Sequence, residues 1–300
     1  MGLFSRKNTE DEQLQGKSNE NLGKMTSEKA TSIIKELSGG QAKYKKKLID
    51  NLVCITNASG GAGASTVTAN VAYTAVKMGI TTLVIDLNIL YPIQQTLFAV
   101  KPELDMPDLS GYLLGKNTLG EAIQQTKTAS LMFSNNRGMM DYINCDSDQA
   151  IGNFQTALQS LRGLFDLILI DCPMRIDSML CNYAFYNADA IYIVWDEGIS
   201  SIANTERIRR NMAQTGIEAY TKMKVVLNKR TDIHYNDYPF QKLNLDLVQY
   251  LPFDQGIIQS SLYSEIFCEK GASRSKNAGY FCGGIEALTE KILVAGGYVE

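Results

Sequence analysis

The chain predicts an α/β fold: a doubly wound, mostly parallel sheet with helices on both faces. Three observations predict it. Short apolar runs of strand length recur at 51–57, 82–88, 165–173, 188–195, 224–230 and 250–254, with segments of helical spacing among them. The first run leads through a glycine-rich turn, Asn57-Ala-Ser-Gly-Gly-Ala-Gly-Ala-Ser-Thr66, directly into an amphipathic segment. The 300 residues are 45% hydrophobic, enough to bury a large core without disulfides.

In chain order, residues 1–50 form a polar, partly disordered basic leader, and residues 51–300 the folded domain. The leader holds ten basic and seven acidic side chains, against nineteen and twenty-five in the remainder. From 2 to 25 it has little to bury, so disorder is expected. Residues 26–38 read as a short helix capped by Thr26 or Ser27, followed by the basic run 43–47. Such an arm can touch anionic lipid or nucleic acid. A solvated linker is the plainer reading.

Residues 51–57 make a buried strand, and 66–78 a helix that Gly79 stops. Residues 109–115 and 119–123 read as paired short helices, and 131–134 as a strand. Phe154, Leu158, Leu161 and Leu164 give 151–164 a helical apolar face. Trp195 ends a buried strand. Arg207, Arg209 and Arg210 follow it as a basic patch on a helix, which keeps DNA binding open, although a solvated face is the usual meaning of three such charges. The C-terminal segment 285–294 has Ile285, Leu288 and Ile292 on one face with two glutamates and one lysine, a composition that favours packing on the sheet over a basic membrane tail.

A phosphate-binding loop wraps backbone amides round the phosphates, reaches them with a lysine and holds Mg2+ with the next Ser or Thr. Here Ala64 stands at the lysine position and Ser65 remains for the metal. The strict pattern fails, and a plain strand-to-helix turn at Gly60, Gly61 and Gly63 is the lesser alternative. The remainder of the chain resembles the ParA/MinD family of deviant P-loop ATPases from about residue 51 onward. The family's two loop lysines correspond to Ser59 and Ala64, so both are gone. Asp86 and Asn88 fall where the family has two aspartates, the second of which helps to position the attacking water. Phe165-Asp-Leu-Ile-Leu-Ile-Asp171 looks like the strand whose terminal carboxylate holds the Mg2+ shell. Asn228 and Pro252 match the asparagine that reads adenine and the last strand before the base-enclosing loop. The loop string and Asp171-Cys-Pro-Met-Arg175 are most similar to the TadZ/CpaE branch, associated with localising pilus assembly machinery. Many of those relatives carry an extra receiver-like domain for which this chain has no room.

The resemblance implies ATP and Mg2+ as cofactors. It assigns Gly60, Gly61, Ala62, Gly63, Ala64, Ser65, Thr66, Asn228 and Pro252 to nucleotide binding, and Ser65, Asp86 and Asp171 to Mg2+, partly through water. Asp86, Asn88 and Arg175 are the catalytic candidates, with Arg175 a substitute cation at the γ-phosphate; a solvent-facing arginine is the equally simple reading. Losing the loop lysine removes a contact worth roughly 1.5 to 3 kcal/mol, or about tenfold to hundredfold in affinity. Hydrolysis suffers more, because that lysine neutralises charge developing in the transition state. An ATP-binding spatial organiser, at most a weak ATPase, is expected, working as a homodimer with a protein partner in a localised assembly. A DNA-binding plasmid or chromosome partition ATPase and a pseudo-ATPase adaptor that binds no nucleotide are the alternatives.

The six cysteines lack metal-ligand spacing and read as reduced core thiols. His234, the sole histidine, lies in a polar stretch and reads as a surface-loop residue. No apolar stretch is long enough to span a bilayer and no signal core opens the chain. A cytoplasmic protein is expected, to which the resemblance adds a peripheral place at the membrane or cell pole.

Overall fold

A computed structural model describes residues 50–103, 105–135, 139–175, 177–217, 219–231, 238–270 and 275–299. The expected leader helix at 26–38, the basic run at 43–47 and His234 lie outside the described residues.

The strands are β1 (Leu52–Asn57), β2 (Thr82–Asp86), β3 (Gln124–Gln125), β4 (Ser130–Met132), β5 (Leu167–Asp171), β6 (Ala190–Trp195), β7 (Met223–Arg230) and β8 (Asp246–Pro252). They form one sheet in the order β3-β4-β2-β5-β1-β6-β7-β8. Among the described residues only the edge pair β3–β4 is antiparallel; the other pairings are parallel. The doubly wound α/β architecture is therefore the one expected.

Alternation along the strands divides the core into two layers. Leu52, Cys54, Leu83, Ile85, Ile168, Ile170, Ile191 and Ile193 face one side. There they meet α6 (Asp148–Leu164) through Phe154 and Leu161, α7 (Met179–Asn187) through Ala184 and Phe185, and α8 (Ile199–Gln214) through Ile208 and Met212. Val53, Ile55, Val84, Leu169, Tyr192, Val194 and Val226 face the other, covered by α1 (Ala64–Lys77) and α13 (Lys276–Ala295). Of the smaller helices, α2 is Gln94–Leu97, α3 Leu109–Leu113, α4 Leu119–Ala122, α5 Met139–Asn144, α9 Ala219–Lys222, α10 Tyr238–Leu243, α11 Gln255–Leu262 and α12 Phe267–Lys270.

The C-terminal helix is longer than its apolar face alone announces. It starts at Lys276, capped by the Ser275 hydroxyl, and buries Ile285, Leu288 and Ile292 against the sheet. Gly284 makes the close approach possible: a Cβ there would lie 2.8 Å from Leu251 Cδ2. Phe281 is fully buried and meets the Phe267 ring edge-to-face at 5.6 Å between centroids. Phe281→Ala is expected to cost about 3 to 5 kcal/mol, read as a lower urea midpoint at unchanged m-value.

Three expectations need correction. The first helix begins at Ala64, two residues early, because Gly63 adopts a left-handed φ of 103° and turns the chain straight into it. The last strand begins at Asp246; as a half-buried edge with Asp246 and Gln249 in its run, it lacks a continuous apolar pattern. The three arginines of α8 do not form one basic surface. Arg209 is 4% exposed and donates to the Leu243 carbonyl, whereas Arg207 and Arg210 engage Asn204 and Glu206 on their own helix.

The cysteines are free thiols, with Cys54, Cys145, Cys172 and Cys181 buried and Cys268 and Cys282 half-buried. Among the described residues no helix is long and apolar enough to cross a membrane.

Candidate functional site

The strands β1, β2, β5, β6 and β7 all end, at their C-terminal edge, around the turn from β1 to α1. This is where a parallel sheet gathers its ligand-binding groups. Gly61 and Gly63 hold φ of 79° and 103°, which bends residues 58–63 into a compact loop over the N-terminus of α1. The Asn57 carboxamide oxygen accepts the Ala64 N–H at 2.8 Å and braces the loop from its own start. The Ala62 carbonyl accepts from Asn228 Nδ2 at 2.8 Å, tying the loop to β7.

Asn228 is 4% exposed, and its Oδ1 is buried without a hydrogen-bond partner in the structure. The side chain lines a cavity of about 230 Å³ walled by Gly61, Gly63 and Thr66 on the loop side and by Pro252, Phe253 and Ile257 on the other. A largely apolar slot with the Asn228 amide in its wall suits a flat heterocycle. The glycine loop beside it offers backbone N–H groups and a helix N-terminus to an anion.

The carboxylates lie across the loop from this cavity. Asp86 and Asp171 end adjacent strands and stand directly opposite in register. Asp86 is fully buried; its Oδ1 accepts the Asn88 N–H, and its Oδ2 accepts the N–H groups of Ile93 and Gln94, each at 2.9 Å. It thereby shapes the turn that places Gln94. Gln94 Nε2 donates to Asp171 Oδ2 at 2.7 Å and to the Ser65 carbonyl at 3.0 Å, and its Oε1 is a buried acceptor without a partner. The Ser65 side chain is near enough to the Asp171 carboxylate to offset part of that carboxylate's upward pKa shift. Burial raises both carboxylates above the ordinary range, and for Asp86 the facing charge of Asp171 adds to it, to about 7. A cation beside them would relieve that cost. Hard oxygens from Ser65, Asp171 and Gln94 fit Mg2+, which keeps most of its shell as water and phosphate oxygen.

The structure brings together most of the residues singled out in the sequence. Gly61, Gly63, Thr66, Asn228 and Pro252 share the cavity, Ala62 is the anchor of Asn228, Gly60 and Ala64 complete the loop, and Ser65 joins Asp86 and Asp171. Asn88 and Arg175 sit apart from the loop. They line a second, much smaller cavity with Tyr142 and Pro173, where Arg175 pairs with Asp177 at 2.7 Å and lies over the Tyr142 ring. Ser59, at the first missing lysine, turns inward: its hydroxyl lies 3.2 Å from Asp196 Oδ2 and 3.1 Å from Ser201 Oγ.

Three contributors were absent from the sequence reading. Asn57 stood inside the loop string without a role. Gln94 carries no local signal, since only the Asp86 turn brings it to Asp171. Lys229 directly follows Asn228 and donates to the Gly61 carbonyl at 2.6 Å.

Comparison with known proteins agrees with this fold. A family model described as an AAA domain matches residues 50–225, more than half of the chain. The chain belongs to the ParA/MinD family of P-loop ATPases. Among its relatives is a putative septum site-determining protein MinD of Chlorella vulgaris, 26% identical over 236 residues that cover 75% of this chain and 79% of the relative. Two solved structures share the fold. The MinC:MinD cell division complex of Aquifex aeolicus has a TM-score of 0.67 at 18% identity, covering 81% of this chain and 96% of that one. MinD complexed with Mg-ADP from Pyrococcus horikoshii has a TM-score of 0.67 at 20% identity, covering 82% and 98%. This is a family of ATPases involved in spatial positioning.

Proposed function

We propose that the protein is an ATP-binding, nucleotide-dependent localisation factor of the TadZ/CpaE kind, with very slow or absent hydrolysis. The observation that carries the nucleotide reading is the cavity beside Asn228: a largely apolar slot walled by that residue, by the glycine loop and by Pro252. Asn228 Oδ1 is buried without a partner, and an adenine amino group would supply one where binding turns that amide toward the base. Gly60, Gly61, Ala62, Gly63 and Thr66 would then cradle the phosphates, with Pro252 against the base. Ser65 and Asp171 would hold Mg2+, which when bound neutralises phosphate charge. Asp86 and Gln94 keep Asp171 in place for it.

The reading of slow turnover rests on what stands where charge and water must be handled. Ala64 has no ammonium, Ser59 is bonded within its own chain, and Asn88 replaces a carboxylate. In this reading ATP stabilises a homodimer that recruits a protein partner, and slow turnover keeps that state long-lived. With Ser59 facing Asp196, such a dimer is held by groups other than a lysine reaching across. The leader, residues 1–50, would add a peripheral contact with an anionic surface.

Calorimetric titration of nucleotide-stripped protein with ATP and ADP, with and without Mg2+, tests this, repeated on Asp171→Asn. Micromolar, magnesium-dependent binding that the substitution removes is the expected result. A folded sample that binds neither nucleotide overturns the proposal. The adaptor reading then takes over, favoured by the Asn57 carboxamide that already occupies the Ala64 N–H. Arg175→Ala is expected to leave ATP affinity unchanged, since its guanidinium is held by Asp177 and Tyr142.

A further inference from the structure

We infer that Lys229 supplies the phosphate-facing cation that Ala64 and Ser59 do not, reaching the loop from the end of β7. The inference rests on the nucleotide reading above and deepens it by naming the residue that grips the anionic tail.

The loop lacks a cation of its own, yet one is delivered to it. Lys229 Nζ stands 2.6 Å from the Gly61 carbonyl and lines the same cavity as Gly61, Gly63 and Thr66. Its position relative to the loop is set by the residue before it, because Asn228 is pinned to the Ala62 carbonyl. The backbone is arranged for this direction. The register between β7 and β8 shifts between Leu227 and Arg230, and Lys229 takes a left-handed φ of 56° at that irregularity. A bulge re-aims a side chain that regular pleating would send elsewhere. A non-glycine residue in the left-handed region is uncommon and collects at ligand clamps.

The chemistry suits the place. An ammonium on a four-carbon stem has three donors, so one can stay on the Gly61 carbonyl while the others turn to phosphate oxygens. Arg175, the other cation considered for this task, is committed to Asp177 and faces a different cavity.

The test compares full-length wild type, Lys229→Met and Lys229→Arg by calorimetry with ATP, ADP and adenosine in Mg2+. Met keeps the length and removes the charge at an exposed position. Lys229→Met is expected to weaken ATP binding about 10- to 100-fold while adenosine changes by less than about twofold. Lys229→Arg should keep most of the ATP affinity, and raised salt should narrow the gap between wild type and Lys229→Met. Wild-type ATP affinity in Lys229→Met overturns the assignment and leaves the nucleotide reading standing. Equal losses for ATP and adenosine also overturn it, since they show a structural role at the base cavity. A wild type that binds neither ligand overturns both.

Discussion

Gly63→Ala is expected to abolish nucleotide binding and to destabilise the fold, whereas Gly60→Ala, three residues earlier in the same loop, is expected to do neither. The difference is geometric. A Cβ on Gly63 would lie 2.5 Å from Asn228 Nδ2, and Gly63 holds a φ of 103° that an L side chain rarely adopts. The clash falls on the amide that ties the loop to β7 and stands in the cavity wall, so the substitution dislodges both the glycine loop and that amide. Backbone strain of this kind costs about 1 to 3 kcal/mol. The displaced Asn228 adds an unpaired buried amide of about the same cost. A Cβ on Gly60 would have no heavy atom within 4 Å, and its φ is ordinary; Gly61 has open space but a φ of 79°. Urea unfolding should therefore rank the losses Gly63 above Gly61 above Gly60, and ATP titration should show Gly63→Ala without measurable binding. Equal effects at Gly60 and Gly63 would mean that the loop is a plain turn with no steric relation to Asn228.

The same residues show how far local pattern reaches. The parallel sheet was legible because strands buried on both faces read as apolar runs, as in Leu-Ile-Leu-Ile of β5, and because glycines punctuate β1 and α1. The carboxylates at strand ends and Asn228 were legible through the resemblance, which assigns roles by position. What escaped was what depends on how backbone groups close a turn. Gln94 reaches Asp171 because three N–H groups converge on Asp86, and nothing in the run Asn88-Ile-Leu-Tyr-Pro-Ile announces that convergence. Lys229 reads as one more charge after a strand until the bulge turns it to the loop. Arg209 looked like surface because arginine usually is; its burial follows from the packing of α8 beside the Leu243 carbonyl.

The second large effect is a trade of stability against metal. Asp171→Asn is expected to make the nucleotide-free protein more stable at pH 7.5 and to remove its response to Mg2+ and ATP. Asp86 and Asp171 are both buried, face each other across β2 and β5, and are both raised above the usual carboxylate range. A folded-state pKa above the unfolded one means that the folded protein binds more protons in between. The stability of the metal-free wild type then falls as pH rises from the ordinary carboxyl value of 3.8 toward about 7 for Asp86. Asparagine keeps the shape and an acceptor for Gln94 Nε2 but removes one of the two like charges. The gain should be absent below about pH 4, grow through the window and level off above it, reaching about 1 to 2 kcal/mol, or roughly 2 to 6 °C in Tm. Saturating Mg-ATP should invert the order, because ligand that binds only the folded wild type adds RT ln(1 + [L]/Kd), about 2.7 kcal/mol at a hundredfold excess over Kd. Thermal melts of both proteins from pH 4 to 8, with and without Mg-ATP, measure all of this. A variant less stable than wild type at pH 7.5 without ligand would show that Asp171 is held by its hydrogen bond to Gln94 more than it is opposed by Asp86. A gain that persisted below pH 4 would have a source other than charge.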